Sequence, residues 1–292
     1  MATRAVESRP SLFAGVFGEC IGEFFGTMVL ILFGDGCVAT FALFAKTLPG
    51  VNSWVVIALG WGLAVMLGVY VAGAVSGAHL NPAVTLGLAS RGKHPWSKVL
   101  PYMGSQLLGA FIAALILFLV YQGAIVNALG GHALDSTNVT QVGGVFYTSK
   151  KDFVGMFGAF ADEFVGTALL VGLIFAIVDV RNQPVQANLN PMIIGFLIVA
   201  IGLSFGLNSG YAINPARDFG PRLLITLVGG GGTSFFGKDN YFWIPIVAPL
   251  LGGVAGAYIY DFTIHKVLEA RGLLASGTSE VRGESVREPA VD

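Results

Sequence analysis

Charged side chains are scarce in this sequence. Lys and Arg number 16 and Asp and Glu 17, together 11% of 292 residues, against about 25% in soluble domains. So little charge cannot clothe a water-soluble surface of this length. The net charge of -1 leaves no basic face for nucleic acid. Cysteine is almost missing. Cys20 and Cys37 lie in one apolar stretch, too far apart along a helix to bridge, so they form no disulfide framework and read as small apolar packing. No paired acids at catalytic spacing, activated nucleophile or phosphate loop is present, so no enzyme activity and no cofactor are expected. His94, His132 and His265 are isolated, without metal-ligand spacing, and no metal site is expected. A signal peptide needs a short apolar core before a small-residue cleavage site. Here the first apolar segment is long and contains Glu19 and Glu23, so it reads as a retained span.

Apolar residues and glycine are abundant instead: 54% of the chain is hydrophobic and 41 residues are Gly. Six segments are long enough to cross about 30 Å of hydrocarbon. They lie near Phe13–Phe44, Trp54–Ala74, Trp96–Gln122, Phe153–Val180, Pro191–Asn208 and Phe242–Val267. Two shorter apolar pieces, Asn81–Ser90 and Asn214–Val228, cannot span. Backbone ending at membrane depth is tolerated only when buried in protein or lining a wet cavity, so both read as re-entrant half-helices. The predicted fold is therefore an all-α membrane protein with six transmembrane helices and two re-entrant half-helices. Residues 1–12 form a cytoplasmic N-terminal segment, 13–267 the membrane domain, and the polar stretch 268–292 a disordered cytoplasmic tail. Lys and Arg set the orientation. Arg4, Arg9, Arg91, Lys93, Lys98, Arg181, Lys266, Arg271, Arg282 and Arg287 fall on the side of the termini, and only Lys46, Lys150, Lys151 and Lys238 on the other. This bias predicts both termini in the cytoplasm.

The chain repeats itself. Gly22-Glu23-Phe24-Phe25-Gly26-Thr27 recurs as Asp162-Glu163-Phe164-Val165-Gly166-Thr167, and Asn81-Pro82-Ala83 recurs as Asn214-Pro215-Ala216. Repeat 1 covers about 13–123 and repeat 2 about 153–267, joined by an outer loop, 124–152. Each half runs through a Glu-bearing span, a second span, a half-helix and a third span. An odd number of spans per repeat inverts the second copy, so the half-helices enter from opposite faces and meet near the midplane. Gly22 with Gly26, and Gly252 with Gly256, supply the four-residue small-residue spacing that lets membrane helices approach closely.

Each Asn is a favoured N-cap and each Pro a favoured first helical residue. With its oxygen capping the half-helix, the Asn81 or Asn214 amide nitrogen is left to donate into a lumen. The two helix dipoles add roughly +0.5 charge each at that point and oppose cations. The preceding stretches, Gly77, Ala78, His79 and Leu80 in one half and Gly210, Tyr211, Ala212 and Ile213 in the other, are expected to unwind and turn carbonyls toward the lumen. Glu23 and Glu163 are carboxylates inside spans and need partners. They serve either as a proton relay or as acceptors for loop N–H groups, and their recurrence at one position in both repeats fits the scaffold role better. Arg217 follows Asn214 by three residues, on one helical face, and places a cation in the pore wall. Asp218 holds either Arg217 or the loop, and Asp35 has no assigned place.

Ser76-Gly77-Ala78-His79-Leu80-Asn81-Pro82-Ala83-Val84-Thr85 and Asn214-Pro215-Ala216-Arg217-Asp218-Phe219-Gly220-Pro221-Arg222 resemble the two signature loops of the major intrinsic proteins. The resemblance runs from about Gly18 to Lys266. It is nearest to the glycerol facilitators, or aquaglyceroporins, in Asp218, Arg222 and Pro245-Ile246. It implies an aquaporin-like inverted repeat and a selectivity filter of Trp61, Gly202, Tyr211 and Arg217. Gly202 would give width where water-selective members have His. Bacterial glycerol facilitators usually carry Phe where this chain has Tyr211. The function implied is a passive channel for glycerol and similar small uncharged solutes, with some water. A homotetramer in a plasma or bacterial inner membrane is implied as well. A mainly water-conducting channel, an ion-coupled secondary transporter and a scaffold protein with a vestigial pore remain as alternatives.

Overall fold

Helices account for every long element among the described residues, and no strand occurs there. The computed structural model describes residues 11–45, 47 and 53–272. Arg4, Arg9, Lys46, Arg282 and Arg287, most of the N-terminal segment and residues 273–292 of the tail lie outside them. In chain order the helices are α1 (Val16–Leu43), α2 (Trp54–Ser76), α3 (Pro82–Ser90), α4 (Trp96–Val120), α5 (Gln122–Ala128) and α6 (Met156–Val178), then α7 (Asn190–Ser209), α8 (Pro215–Ile225), α9 (Gly231–Phe236), α10 (Ile244–Phe262) and α11 (Ile264–Ala270). Six of these, α1, α2, α4, α6, α7 and α10, are long and apolar enough to cross a membrane. Large apolar side chains such as Leu63, Leu100, Leu119, Phe196 and Leu251 face outward, while Glu23, Asp35, Glu163, Asp218 and Arg222 are wholly buried. This inversion of the soluble pattern suits a lipid solvent, where polar groups must find partners inside the protein.

The helix pairing is unchanged when the halves are exchanged. α1 packs on α2 and α4 as α6 packs on α7 and α10; α3 lies against α10 as α8 lies against α4; and α2 meets α7 at the centre. The close approaches follow the same rule. A Cβ on Gly62 would sit 2.7 Å from the Gly195 carbonyl, and one on Gly195 the same distance from the Gly62 carbonyl. A Cβ on Gly109 would come within 2.3 Å of the Phe24 carbonyl, and one on Gly252 equally near that of Phe164. Phe24 and Phe164 are repeat equivalents, so bare backbone at matching positions sets the interhelical distance in both halves.

The last apolar span, Lys238–Ala270, contains the expected one but is broken at Thr263 (φ -116°, ψ -92°), which separates α10 from α11. The second half-helix stops at Ile225, where the backbone loosens into a π-turn through Gly230, and does not run to Val228.

Candidate functional site

The re-entrant stretches carry the unusual backbone. Gly77 and Gly210 end α2 and α7 in the left-handed region, φ 84° and 89°. Ala78 (50°) and Leu80 (53°) in one half, and Tyr211 (39°) and Ile213 (44°) in the other, follow in the same region although none is glycine. Such residues cost of order 1–3 kcal/mol each and persist only where neighbours dictate them. The two buried glutamates do so. Glu23 accepts from Ser76 Oγ (2.6 Å), His79 N (2.9 Å), Leu80 N (2.7 Å) and Gln106 Nε2 (2.8 Å). Glu163 accepts from Ser209 Oγ, Ala212 N and Ile213 N, each at 2.8 Å. Both carboxylates accept from backbone N–H groups of the adjoining loop and from the serine at its start, and Glu23 also accepts from Gln106 of α4.

From these loops α3 and α8 start head to head. Asn81 Oδ1 accepts from Ala83 N at 2.8 Å, and Asn214 Oδ1 from Ala216 N at 3.0 Å and Arg217 N at 3.2 Å. Pro82 and Pro215 occupy the first helical positions. The amide nitrogens are not wholly free, as the sequence suggested. Asn81 Nδ2 donates to the Ile213 carbonyl, and Asn214 Nδ2 to the Leu80 carbonyl, both at 2.8 Å. An amide has two N–H groups, so each Asn keeps one for the lumen. The Leu80 and Ile213 carbonyls are correspondingly shared with the opposite half.

A cavity of about 240 Å³ runs past this junction. Trp61, Gly77, Ala78, His79, Leu80, Asn81, Tyr211, Ala212, Ile213, Asn214 and Arg217 line it, with aliphatic residues of the spans such as Val65, Leu170 and Ile198 opposite. Pro82, Ala83, Pro215 and Ala216 do not; they are buried helix starts, with Ala83 packed beneath Gly253. Gly210 does not line it either, since it serves as the cap of α7. Gly202 does not line the cavity itself but backs a residue that does. A Cβ there would lie 2.8 Å from Tyr211 Cζ and 2.9 Å from Tyr211 Oη. The room left by Gly202 is therefore filled by the Tyr211 ring, which Trp54 also meets edge-on at 5.9 Å between centroids.

Arg217 sits where these walls converge, 6% exposed. Its Cζ lies 4.1 Å from the centroid of the Trp61 ring, its Nη1 donates to the Phe146 carbonyl at 3.3 Å, and the same nitrogen is 3.3 Å from Asp35 Oδ1. Asp218 does not hold Arg217. It accepts from Thr148 N (2.8 Å) and Thr148 Oγ1 (2.7 Å) and pairs with Arg222 Nε at 2.7 Å. Arg222 reaches on to the carbonyls of Thr148 and Ser234 and stands over the Tyr147 ring. The pair thus clamps the loop that delivers the Phe146 carbonyl to Arg217.

The lumen so formed has an aliphatic side, an aromatic-and-guanidinium end and a central pair of amide donors. The model of the family described as Major intrinsic protein matches residues 13–260. The chain belongs to the major intrinsic protein family. Among members of known name it is 42% identical over 249 residues to Aquaglyceroporin-2 of Rhizophagus irregularis, covering 85% of this chain and 78% of that one. A probable glycerol uptake facilitator protein of Thermotoga maritima is 42% identical over 247 residues, covering 83% and 97%. The X-ray structure of the aquaglyceroporin from Plasmodium falciparum superimposes with a TM-score of 0.78 at 35% identity, covering 88% of this chain and 100% of that one. The fold of this major intrinsic protein is thus a multi-pass helical bundle of the same kind.

Sequence reasoning missed several contributors. The partner of Asp35, Arg217, lies 182 residues away, and the pairing has no local signal. Trp54, which donates Nε1–H to the Gly202 carbonyl at 2.9 Å, carries no local signal beyond opening a span, and neither Phe146 nor Thr148 carries any. Just past the end of α6, Asp179 accepts from Arg181 and Tyr260, and His265 of α11 touches both Asp179 and Arg181. The Arg181 guanidinium holds the Asp179 carboxyl well below the usual carboxylate range, against the opposing effect of burial.

Proposed function

We propose that this chain is a passive channel for glycerol and similar small uncharged solutes, carrying some water, and that it conducts rather than transforms them. The observation that carries this reading is the two-sided lumen. A three-carbon polyol has a hydrocarbon back and a hydroxyl edge. The aliphatic wall and the aromatic rings receive the back, while Arg217, the spare N–H groups of Asn81 and Asn214 and the loop carbonyls receive the edge. Each hydroxyl that leaves water must find a partner or lose about 1–3 kcal/mol. Ions lose far more on dehydration and meet two helix N-termini of positive sign. The relatives named for glycerol uptake and as aquaglyceroporins support the same solute class. Trp61, Tyr211 and Arg217 form the selectivity filter in this reading, with Gly202 acting through the ring it admits.

We place the channel in a plasma or bacterial inner membrane with both termini cytoplasmic, from the Lys and Arg bias. We assign a homotetramer with one pore per subunit, from the family resemblance. A mainly water-conducting channel is the second reading, favoured by one observation: the Tyr211 ring occupies the space that Gly202 leaves. Stopped-flow light scattering of proteoliposomes separates the two. Glycerol-driven swelling well above that of empty vesicles is expected, and water flux without glycerol flux selects the second reading.

A further inference from the structure

Asp35 is an ionisable residue in a membrane span that the repeat does not explain. Counting from Glu23 and Glu163, its equivalent on α6 is Phe175; counting from Asn81 and Asn214, the equivalent of Arg217 is Val84. Val84 and Phe175 pack in one apolar cluster in the first half of the pore. The related position in the second half holds Asp35 and Arg217, 3.3 Å apart. Where the first half places two apolar side chains, the second half places an acid and a guanidinium.

Among the described residues Asp35 has one basic partner, Arg217. Its side chain is fully buried, and neither carboxylate oxygen receives a hydrogen bond from any group of the described residues. α1 meets the filter at two successive residues. A Cβ on Gly34 would lie 2.2 Å from the Trp61 ring, so the indole is seated on bare backbone there. Asp35, the next residue, reaches Arg217, whose guanidinium lies on the face of that same indole. Asp218, the nearer acid in sequence, is committed to Arg222 and Thr148. A carboxylate held without hydrogen bonds is costly unless a cation faces it, and Arg217 is the cation.

We propose that Asp35 is a specificity-determining residue of the channel: it is the counter-ion of Arg217, so that the constriction offers guanidinium donors to hydroxyl groups while its net charge stays near zero. This rests on the reading of Trp61, Tyr211 and Arg217 as the filter. A lone guanidinium beside two helix N-termini would make the passage attractive to small anions, and a lone carboxylate would make it attractive to cations. With the pair neutral overall, dehydration is the main barrier to ions of either sign, and Asp35 anchors the fork against Trp61.

The test compares native protein, Asp35→Asn, Arg217→Gln and the double variant in proteoliposomes, measuring glycerol, nitrate and potassium permeability. Asp35→Asn should raise nitrate permeability about tenfold and leave potassium unchanged. Arg217→Gln should raise potassium instead, and the double variant should return both to within about twofold of native. A purely structural role for Asp35 cannot produce leaks of opposite sign that cancel. If Asp35→Asn excludes nitrate as native does, as a neutral Asp35 requires, the proposal is overturned and the filter reading stands. If Arg217→Gln also changes nothing, the filter reading itself fails. Should Asp35→Asn not fold, the other two variants decide: a potassium leak in Arg217→Gln that persists in the double variant overturns the proposal, and its disappearance supports it.

Discussion

Asn81 Nδ2 donates to the carbonyl of Ile213 at 2.8 Å, across 132 residues of sequence. Asn214 returns the bond to Leu80 at the same distance. The two repeats are thus stapled at the narrow centre by the residues that cap their half-helices, so capping and pore geometry cannot be altered separately. Asn81→Ala removes an N-cap and orphans a buried carbonyl, each worth about 1–2 kcal/mol. A fall in thermal stability is expected in detergent, with a similar fall for Asn214→Ala. A loss confined to one of the two would contradict the reciprocal staple.

Glu163 is surrounded by donors, so Glu163→Gln turns an N–H group toward at least one of them. With each unpaired buried donor costing about 1–3 kcal/mol, the left-handed residues Tyr211 and Ile213 should lose their restraint. Faster amide exchange at Ala212 and Ile213, with a large drop in glycerol flux, is the expected pair of results. Unchanged exchange with lost pH dependence of transport would instead point to proton relay.

Tyr211 carries its hydroxyl against Gly202, where the oxygen has no hydrogen-bond partner among the described residues. Tyr211→Phe should therefore leave glycerol flux nearly unchanged and raise stability by up to about 1 kcal/mol. Gly202→Ala should do the opposite: its Cβ displaces the ring into the lumen and cuts glycerol passage more than water passage. Equal loss of both solutes would contradict this account of the ring.

Much of this was open to sequence reasoning because it is local. The Asn-Pro pair fixes an N-cap and a first turn within three residues, and the span lengths follow from apolar runs. The repeated Glu was likewise legible as a scaffold, since a carboxylate at membrane depth must find donors. What escaped depends on contacts between distant segments. The space above Gly202 is decided by Tyr211 entering from the next loop. The grip on Arg217 comes from Phe146, 71 residues away, and from Asp35 on the first helix. Ala78 and Leu80 adopt left-handed backbone because Glu23 holds their loop, which no propensity of Ala or Leu foretells.

The Asp179 cluster gives a dependence on pH. Its carboxyl is held below its unfolded value, so its contribution to stability is fully present above the ordinary Asp pKa of about 3.9 and is lost as pH falls through the lowered folded value. The melting temperature of native protein should therefore exceed that of Asp179→Asn at about pH 5 and above, and the margin should shrink as pH drops below about 4. A margin that grew as pH fell below about 4 would contradict the assignment.

The central claim is passive passage of an uncharged polyol through one continuous lumen. Its most direct measurement is the initial rate of glycerol entry into proteoliposomes at rising glycerol concentration, with and without proton and sodium gradients. The account predicts a rate that rises in proportion to concentration and does not respond to either gradient. A rate that saturates and collapses when a gradient is abolished would contradict it.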